Sequence, residues 1–260
     1  MDINNPQHTF AVCAYKESPF LEECIQSLIA QKSDSKIIIA TSTPNEHIKN
    51  IAAKYNLPVF ENPAESSIGG DWNFALSKVK TPYVTFAHQD DVYLSGFYKR
   101  TMAELQRPNC LIAFTNYEEL KHGSPIKLTI NLRIKDMMLF GFRFFKRCRL
   151  LRRLVFSVGN PICCPAVSYN LTKLGEFKFD QSLKVNLDWD AWIRIGAKKG
   201  RFGYISKRLM QHRIHEGSET TNAIKNNSRS TEDYDIFRRF WPKFIAERLS
   251  KIYDKSQDTN

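Results

Sequence analysis

Apolar runs alternate with amphipathic stretches through the first half of the chain. Thr9–Tyr15 (TFAVCAY), Ile37–Ala40, the short Pro58–Phe60 and Tyr83–Ala87 are apolar without period-two alternation. Such runs predict strands covered on both faces. Between the first two, Leu21, Cys24, Ile25, Leu28 and Ile29 repeat at helical spacing behind Ser18-Pro19, a cap followed by a first-turn proline. Ile48, Ile51, Ala52 and Tyr55 follow Thr43-Pro44 in the same way, and Trp72, Ala75, Leu76 and Val79 follow Gly69-Gly70. The order β-α-β-α-β-α-β predicts a mainly parallel sheet whose ligands sit beyond the carboxyl ends of its strands.

The second half is less regular. Cys110–Phe114 and Ile162–Tyr169 read as strands, and Leu209–His215 as extended. Asn186–Arg194 opens a helix that Gly200 is expected to end. Ser230 with Asp233 resembles a capping box for a helix carrying Ile236, Phe237 and Phe240, and Trp241-Pro242 interrupts it before a last amphipathic helix.

The 260 residues allow one large domain with a full core, and no apolar stretch is long enough to cross a bilayer. The opening MDINNPQHTF lacks the basic and apolar regions of a signal peptide, which predicts a cytoplasmic chain. Six scattered cysteines without a CxxC pair read as small core residues rather than zinc ligands or disulfides. The net charge of +11 is uneven: between Lys127 and Arg153 nine Lys/Arg face one acid, Asp136. Interleaved with them are Met137, Met138, Phe140, Phe142, Phe144, Phe145, Leu150, Leu151 and Leu154. A segment this apolar and cationic suits an anionic membrane surface, or alternatively a core-packed helix with a solvated basic face.

The candidate chemistry begins at FAHQDDVY, residues 86–93, where two adjacent carboxylates follow the fourth apolar run. Adjacent like charges repel, and a hard divalent cation such as Mg²⁺ or Mn²⁺ would neutralise them. The alternative is that Asp90 or Asp91 merely caps the turn into the next helix. Together with DWDAWIRIG and HRIHEGSETT downstream, in that order, the motif resembles the family 2 inverting glycosyltransferases of GT-A fold over roughly residues 9–222.

That resemblance implies an α/β architecture: a Rossmann-like nucleotide-binding half (residues 1–120), an acceptor-side half (121–222, with the basic segment 127–158) and a C-terminal helical tail (223–260). It implies a nucleotide-sugar donor, a UDP-sugar by family habit, and a glycan or lipid-linked glycan acceptor. The usual setting is surface polysaccharide synthesis, such as capsule, exopolysaccharide or lipopolysaccharide, on the inner face of the membrane. Carried over residue by residue, Asp90 and Asp91 match the ligands of Mn²⁺ or Mg²⁺ on the donor diphosphate, and His215 approaches the same metal. His88 stands where the motif usually begins with Asp, beside Gln89. Ala14, Tyr15 and Glu17 match a nucleotide-contacting turn, with Thr41, Asp71 and Asn73 as further donor contacts. The acid-rich turn usual after the second strand is replaced by Thr41-Ser42-Thr43-Pro44-Asn45. Asp188 matches the base that takes the acceptor proton, with a helix cap as its alternative role. Asp190 has Arg194 at i+4 as an ion-pair partner; Asp190 and Arg213 are left as phosphate or acceptor contacts.

Two other readings compete. AHQDD is close to the AHPDDE motif of zinc-dependent sugar N-deacetylases, but those carry it after the first strand and use the next acid, where this chain has Val92. A non-catalytic basic adaptor for membrane or nucleic acid is the other; nucleic acid ranks last, because nothing here resembles a base-reading module.

Overall fold

The computed structural model describes residues 6–126, 128–215 and 228–257. The expectations for Lys127 and for 216–222, including the end of HRIHEGSETT, lie outside the described residues. Four strands, β1 (His8–Ala14), β2 (Lys36–Thr41), β3 (Val59–Glu61) and β4 (Tyr83–His88), lie in the order β3-β2-β1-β4, all parallel. Helices α1 (Leu21–Ile29), α2 (Glu46–Lys54) and α3 (Ile68–Lys78) make the crossovers. Side chains of β1 alternate between the two faces: Ala11 packs with Phe86 and Trp72, while Phe10 and Val12 pack with Leu21 and Ile39. Phe10, Val12 and Phe86 are fully buried, each contributing roughly 1.5–3 kcal/mol relative to exposure. A sheet buried on both faces explains why these strands read as continuous apolar runs.

Past β4 the sheet becomes mixed. The remaining strands are β5 (Val92–Tyr93), β6 (Cys110–Lys121), β7 (Ser124–Pro125), β8 (Val167–Asn170) and β9 (Arg201–Arg213). β8 joins β4 to β6 by antiparallel pairing, β9 runs parallel to β6, and β5 closes the edge. The helices of this half are α4 (Phe97–Leu105), α5 (Ile130–Phe140), α6 (Arg149–Phe156), α7 (Leu171–Leu174) and α8 (Leu187–Ala197), followed by Ser228–Arg238 and Lys243–Gln257. The observed architecture is the α/β arrangement expected from sequence, a parallel first half continued by a mixed sheet. No helix among the described residues is long and apolar enough to cross a membrane.

Several local expectations need correction. The caps are displaced: α1 starts after Phe20, while the Ser18 hydroxyl accepts from Phe20 N, and Asn45 rather than Thr43 caps α2. Ser67 caps α3, so Gly69 and Gly70 lie inside its first turn. Of the expected strand at Ile162–Tyr169 only Val167–Tyr169 lies in a strand, because Cys164–Ala166, with Pro165 at its centre, form a 3₁₀ turn. The capping box at Ser230 does not form. Ser230 is inside its helix and donates to Asp254, while Asp233 accepts from Asn186. Gly200 follows α8 at φ 151°, where a Cβ would come within 2.6 Å of Leu111 Cγ, so only glycine fits the turn into β9.

Candidate active site

Register sets the site. Cys13 pairs with His88 and Ala14 with Thr41, so the loops after β1, β2 and β4 emerge side by side at the carboxyl edge. Gln89 clamps the first loop: its Oε1 accepts from Tyr15 N and its Nε2 donates to Tyr15 O, both at 2.9 Å. Lys16 takes the left-handed conformation (φ 54°) and donates its N–H to Thr43 Oγ1 at 2.6 Å. Thr41, buried, accepts from Thr43 N. Glu17 is exposed beside them. Asp71 accepts from Ser42 Oγ and from Asn62 Nδ2, each at 2.8 Å, so α3 brings a carboxylate to the loop after β2 that lacks its own acid. Asn73 lies one step removed from the edge, with both amide atoms bonded to the Phe179 backbone at 2.9 and 2.8 Å.

The two carboxylates of FAHQDDVY have different surroundings. Asp91 is fully buried; its Oδ1 accepts from His212 Nδ1 and Arg213 N, both at 3.0 Å, and its Oδ2 has no hydrogen-bond partner. Asp90 accepts from His215 Nε2 at 3.0 Å. The two histidines, on opposite sides of an extended segment, thus engage one carboxylate each. Burial alone would raise the Asp90 carboxyl, but the His215 hydrogen bond and the nearby His88 and His212 hold it below its usual value. Burial would likewise lower His212, and the field and hydrogen bond of Asp91 outweigh that to raise it. Arg213 is committed to structure: it donates to Asp90 O and Glu23, and stacks over Phe20.

His88 lies nearly parallel to the Trp72 ring, with centroids 5.3 Å apart. Its buried Nε2 also lacks a partner. One ligand atom each from His88, Asp90 and Asp91 lie within 4.8 Å of one another. Buried, unsatisfied polar atoms are costly. An orphan carboxylate oxygen of Asp91, with His88 Nδ1 3.9 Å away and Asp90 beside them, fits a divalent cation, and a nitrogen ligand suits Mn²⁺ better than Mg²⁺.

The second pair of acids lies in the first turn of α8. Asp190 is buried and held by Arg194 and Arg239, both at 2.6 Å. Asp188 accepts from Trp189 N at 2.7 Å through Oδ1 and from Asn160 Nδ2 at 2.9 Å through Oδ2. Burial raises the Cys163 thiol well above its usual range, and both Asp91 and Asp188 add to that shift. Both acidic regions therefore lie near Cys163.

Three roles escaped sequence reading. Trp72 reads as core and, by the resemblance, as standing with Asp71 and Asn73 at the donor contacts, and it is also the platform for His88. Asn160 bonds Asp188 and, through its N–H, the Tyr253 hydroxyl. Lys135 belongs to the basic segment, but its ammonium turns inward to Tyr117 Oη at 2.8 Å, beside His212. No local signal marks these roles, since each depends on a partner distant in sequence.

Comparison with known proteins gives a consistent picture. The model of glycosyl transferase family 2 matches residues 9–167. No curated protein matches the chain in sequence. S. aureus TarS 1-349 in complex with UDP-GlcNAc is 16% identical, with TM-score 0.63 over 94% of this chain and 70% of that one. The mannosyltransferase PcManGT from Pyrobaculum calidifontis, in complex with GDP-Man and Mn²⁺, is 14% identical, with TM-score 0.62 over 98% and 73%. Glucosyl-3-phosphoglycerate synthase from Mycobacterium tuberculosis, with Mn²⁺ and UDP-glucose, is 14% identical, with TM-score 0.57 over 88% and 77%.

Proposed function

Because the chain belongs to glycosyl transferase family 2, we propose that it moves a sugar, with inversion, from a nucleoside-diphosphate donor to a hydroxyl of a glycan or lipid-linked glycan. The observation that carries this reading is the convergence of His88, Asp90 and Asp91 at the carboxyl edge of a parallel nucleotide-binding sheet. Asp90 and Asp91 would hold Mn²⁺ or Mg²⁺ there, beside His88 and with His215 backing Asp90. Bound at that corner, the cation supplies Lewis-acid stabilisation of the departing diphosphate. Tyr15, fixed by Gln89, and the loop around Thr41 tied to Asp71 form the wall for the nucleoside. Asp188, in the first turn of α8, accepts the acceptor hydroxyl proton as that oxygen attacks the anomeric carbon and the diphosphate leaves. Asn160 and Trp189 N fix the orientation of its carboxylate.

The deacetylase reading loses its basis, since the motif follows β4 and position 92 is an apolar residue within β5. A place on the inner face of the membrane, extending surface polysaccharide on a lipid carrier, fits the exposed Arg143, Arg147, Arg149 and Arg153 beside exposed Phe140, Phe144, Phe145, Leu150 and Leu154. Flotation with anionic vesicles should fall when these arginines are neutralised; unchanged flotation rejects the membrane assignment. Proton NMR of the product tests inversion. An α-linked donor should yield a β-linked product, and an α-linked product would overturn the single-displacement mechanism.

A further inference from the structure

Helix α6 carries more than a charged surface. Between α6, α8 and the bend at Phe240 lies a groove of about 410 Å³, within the roughly 300–1,000 Å³ of small-molecule sites. Its floor is apolar: Phe156, Ile193, Gly196, Ala197 and Phe240. Gly196 lets the helices close up, since a Cβ there would already be 3.4 Å from the Phe156 ring. Arg149 and Arg153 stand over this floor one helical turn apart. Like charges at i and i+4 repel, and neither has a carboxylate within ion-pairing distance among the described residues. Arg149 reaches only the Ala197 carbonyl at 3.4 Å, and Arg153 lies over the Phe240 ring. By contrast, buried Arg152 between them is fixed by the Arg147 and Gly200 carbonyls, and Lys146 is paired with Glu104. The groove continues past Leu150 and Arg153 into a hollow lined by Leu154 and Trp241. Leu150 and Leu154 are 64% and 54% exposed, and Phe244 just beyond the bend is 71% exposed.

An apolar trough with two unneutralised guanidiniums at its lip and apolar side chains around its mouth complements an anionic amphiphile. We propose that this groove binds one phosphate-bearing membrane lipid, with the chain along Phe156, Ile193 and Phe240 and the phosphate between Arg149 and Arg153. The proposal gives the membrane side of the proposed function a defined ligand. It stands on the groove alone and needs no turnover, so a failure of donor binding leaves its test intact.

The test uses the full chain and a short single-chain alkyl phosphate below its micelle concentration. Binding is followed by tryptophan fluorescence, with Trp241→Phe identifying the local signal. The alkyl phosphate should bind at least about tenfold more tightly than the alkyl alcohol of equal length or inorganic phosphate, as loss of charge-assisted hydrogen bonds implies. The double variant R149Q/R153Q should weaken it by about tenfold or more, and so should Ala197→Phe, which fills the groove from an exposed position. Thermal melting confirms that both variants fold. Equal binding of the alcohol would reduce the groove to an apolar surface, and equal binding of inorganic phosphate would reduce it to an anion site. Either result, or undiminished binding in both variants, overturns the proposal.

Discussion

The molecule holds two pairs of acids, Asp90 with Asp91 at the end of β4 and Asp188 with Asp190 at the start of α8, and the two are sorted differently. In the α8 pair Asp190 is buried with an arginine on each oxygen, whereas Asp188 accepts from its neighbour's main-chain N–H and from the Asn160 amide. In the β4 pair both acids are drawn inward and surrounded by three histidines, and the more deeply buried Asp91 keeps an oxygen without a hydrogen-bond partner. A pair kept together with an orphan atom suits a shared cation. A pair in which one acid is held by two arginines and the other is oriented by the Asn160 amide suits one structural role and one chemical role.

The largest expected effects separate Asp188 from Asp190. Asp188→Asn should slow transfer about a hundred- to ten-thousandfold, the usual scale of general-base catalysis, while donor binding stays within about twofold. Near-normal transfer by that variant would end its assignment as base. Asp190→Asn should act on the fold instead. It leaves Arg194 and Arg239 facing a neutral amide and should cost about 2 kcal/mol in urea denaturation. That is less than the roughly 3–5 kcal/mol of fully buried pairs, because the two arginine side chains are 42% and 40% exposed. A variant of normal stability but impaired catalysis would reverse the two roles.

A smaller effect is expected at Asn160. Asn160→Ala should lower kcat about tenfold with KM unchanged. It should also move the acid limb of the pH–rate profile upward, because the carboxylate loses a hydrogen bond that favours its charged form. A change confined to KM would make Asn160 a binding residue rather than a positioning one.

The foot of the same sheet supplies a control remote from both pairs. His8 is buried in β1 between Ser35 Oγ and Thr85 Oγ1, each at 2.9 Å, and burial lowers its pKa from 6.5 to about 3. It is neutral in the fold over a range where the unfolded chain protonates it. The unfolded state therefore binds the extra proton, and stability falls as pH drops from 6.5 toward 3. The expected slope is about 1.4 kcal/mol per pH unit in the unfolding free energy from urea denaturation, and His8→Gln should flatten it. Identical slopes in the two proteins would contradict this.

Much of this arrangement was legible in the sequence. β1, β2 and β4 announced themselves because both faces are covered, and the place of FAHQDDVY after the fourth strand located the acid corner. The Asp190–Arg194 pair followed from helical spacing. What escaped depends on distant partners. Asn73 meets Phe179 across 106 positions, and Asn160 meets Asp188 across 28. The first half of β9 was missed because Ser206, Lys207 and the bulged pairing near Arg208 interrupt its alternation. The basic segment reads as a membrane face or as a core-packed helix with a solvated basic face, and neither reading separates Lys135, which α5 turns inward to Tyr117, or buried Arg152 from the other cations.

The central claim is that His88, Asp90 and Asp91 form a metal-dependent donor corner. Calorimetric titration of the purified chain with a panel of nucleoside-diphosphate sugars, with Mn²⁺ and with chelator, tests it most directly. The account predicts that at least one donor binds with Mn²⁺, loses that binding in chelator, and loses it equally in Asp91→Asn. Binding unchanged by chelator, or no binding by any donor in the presence of metal, would contradict it.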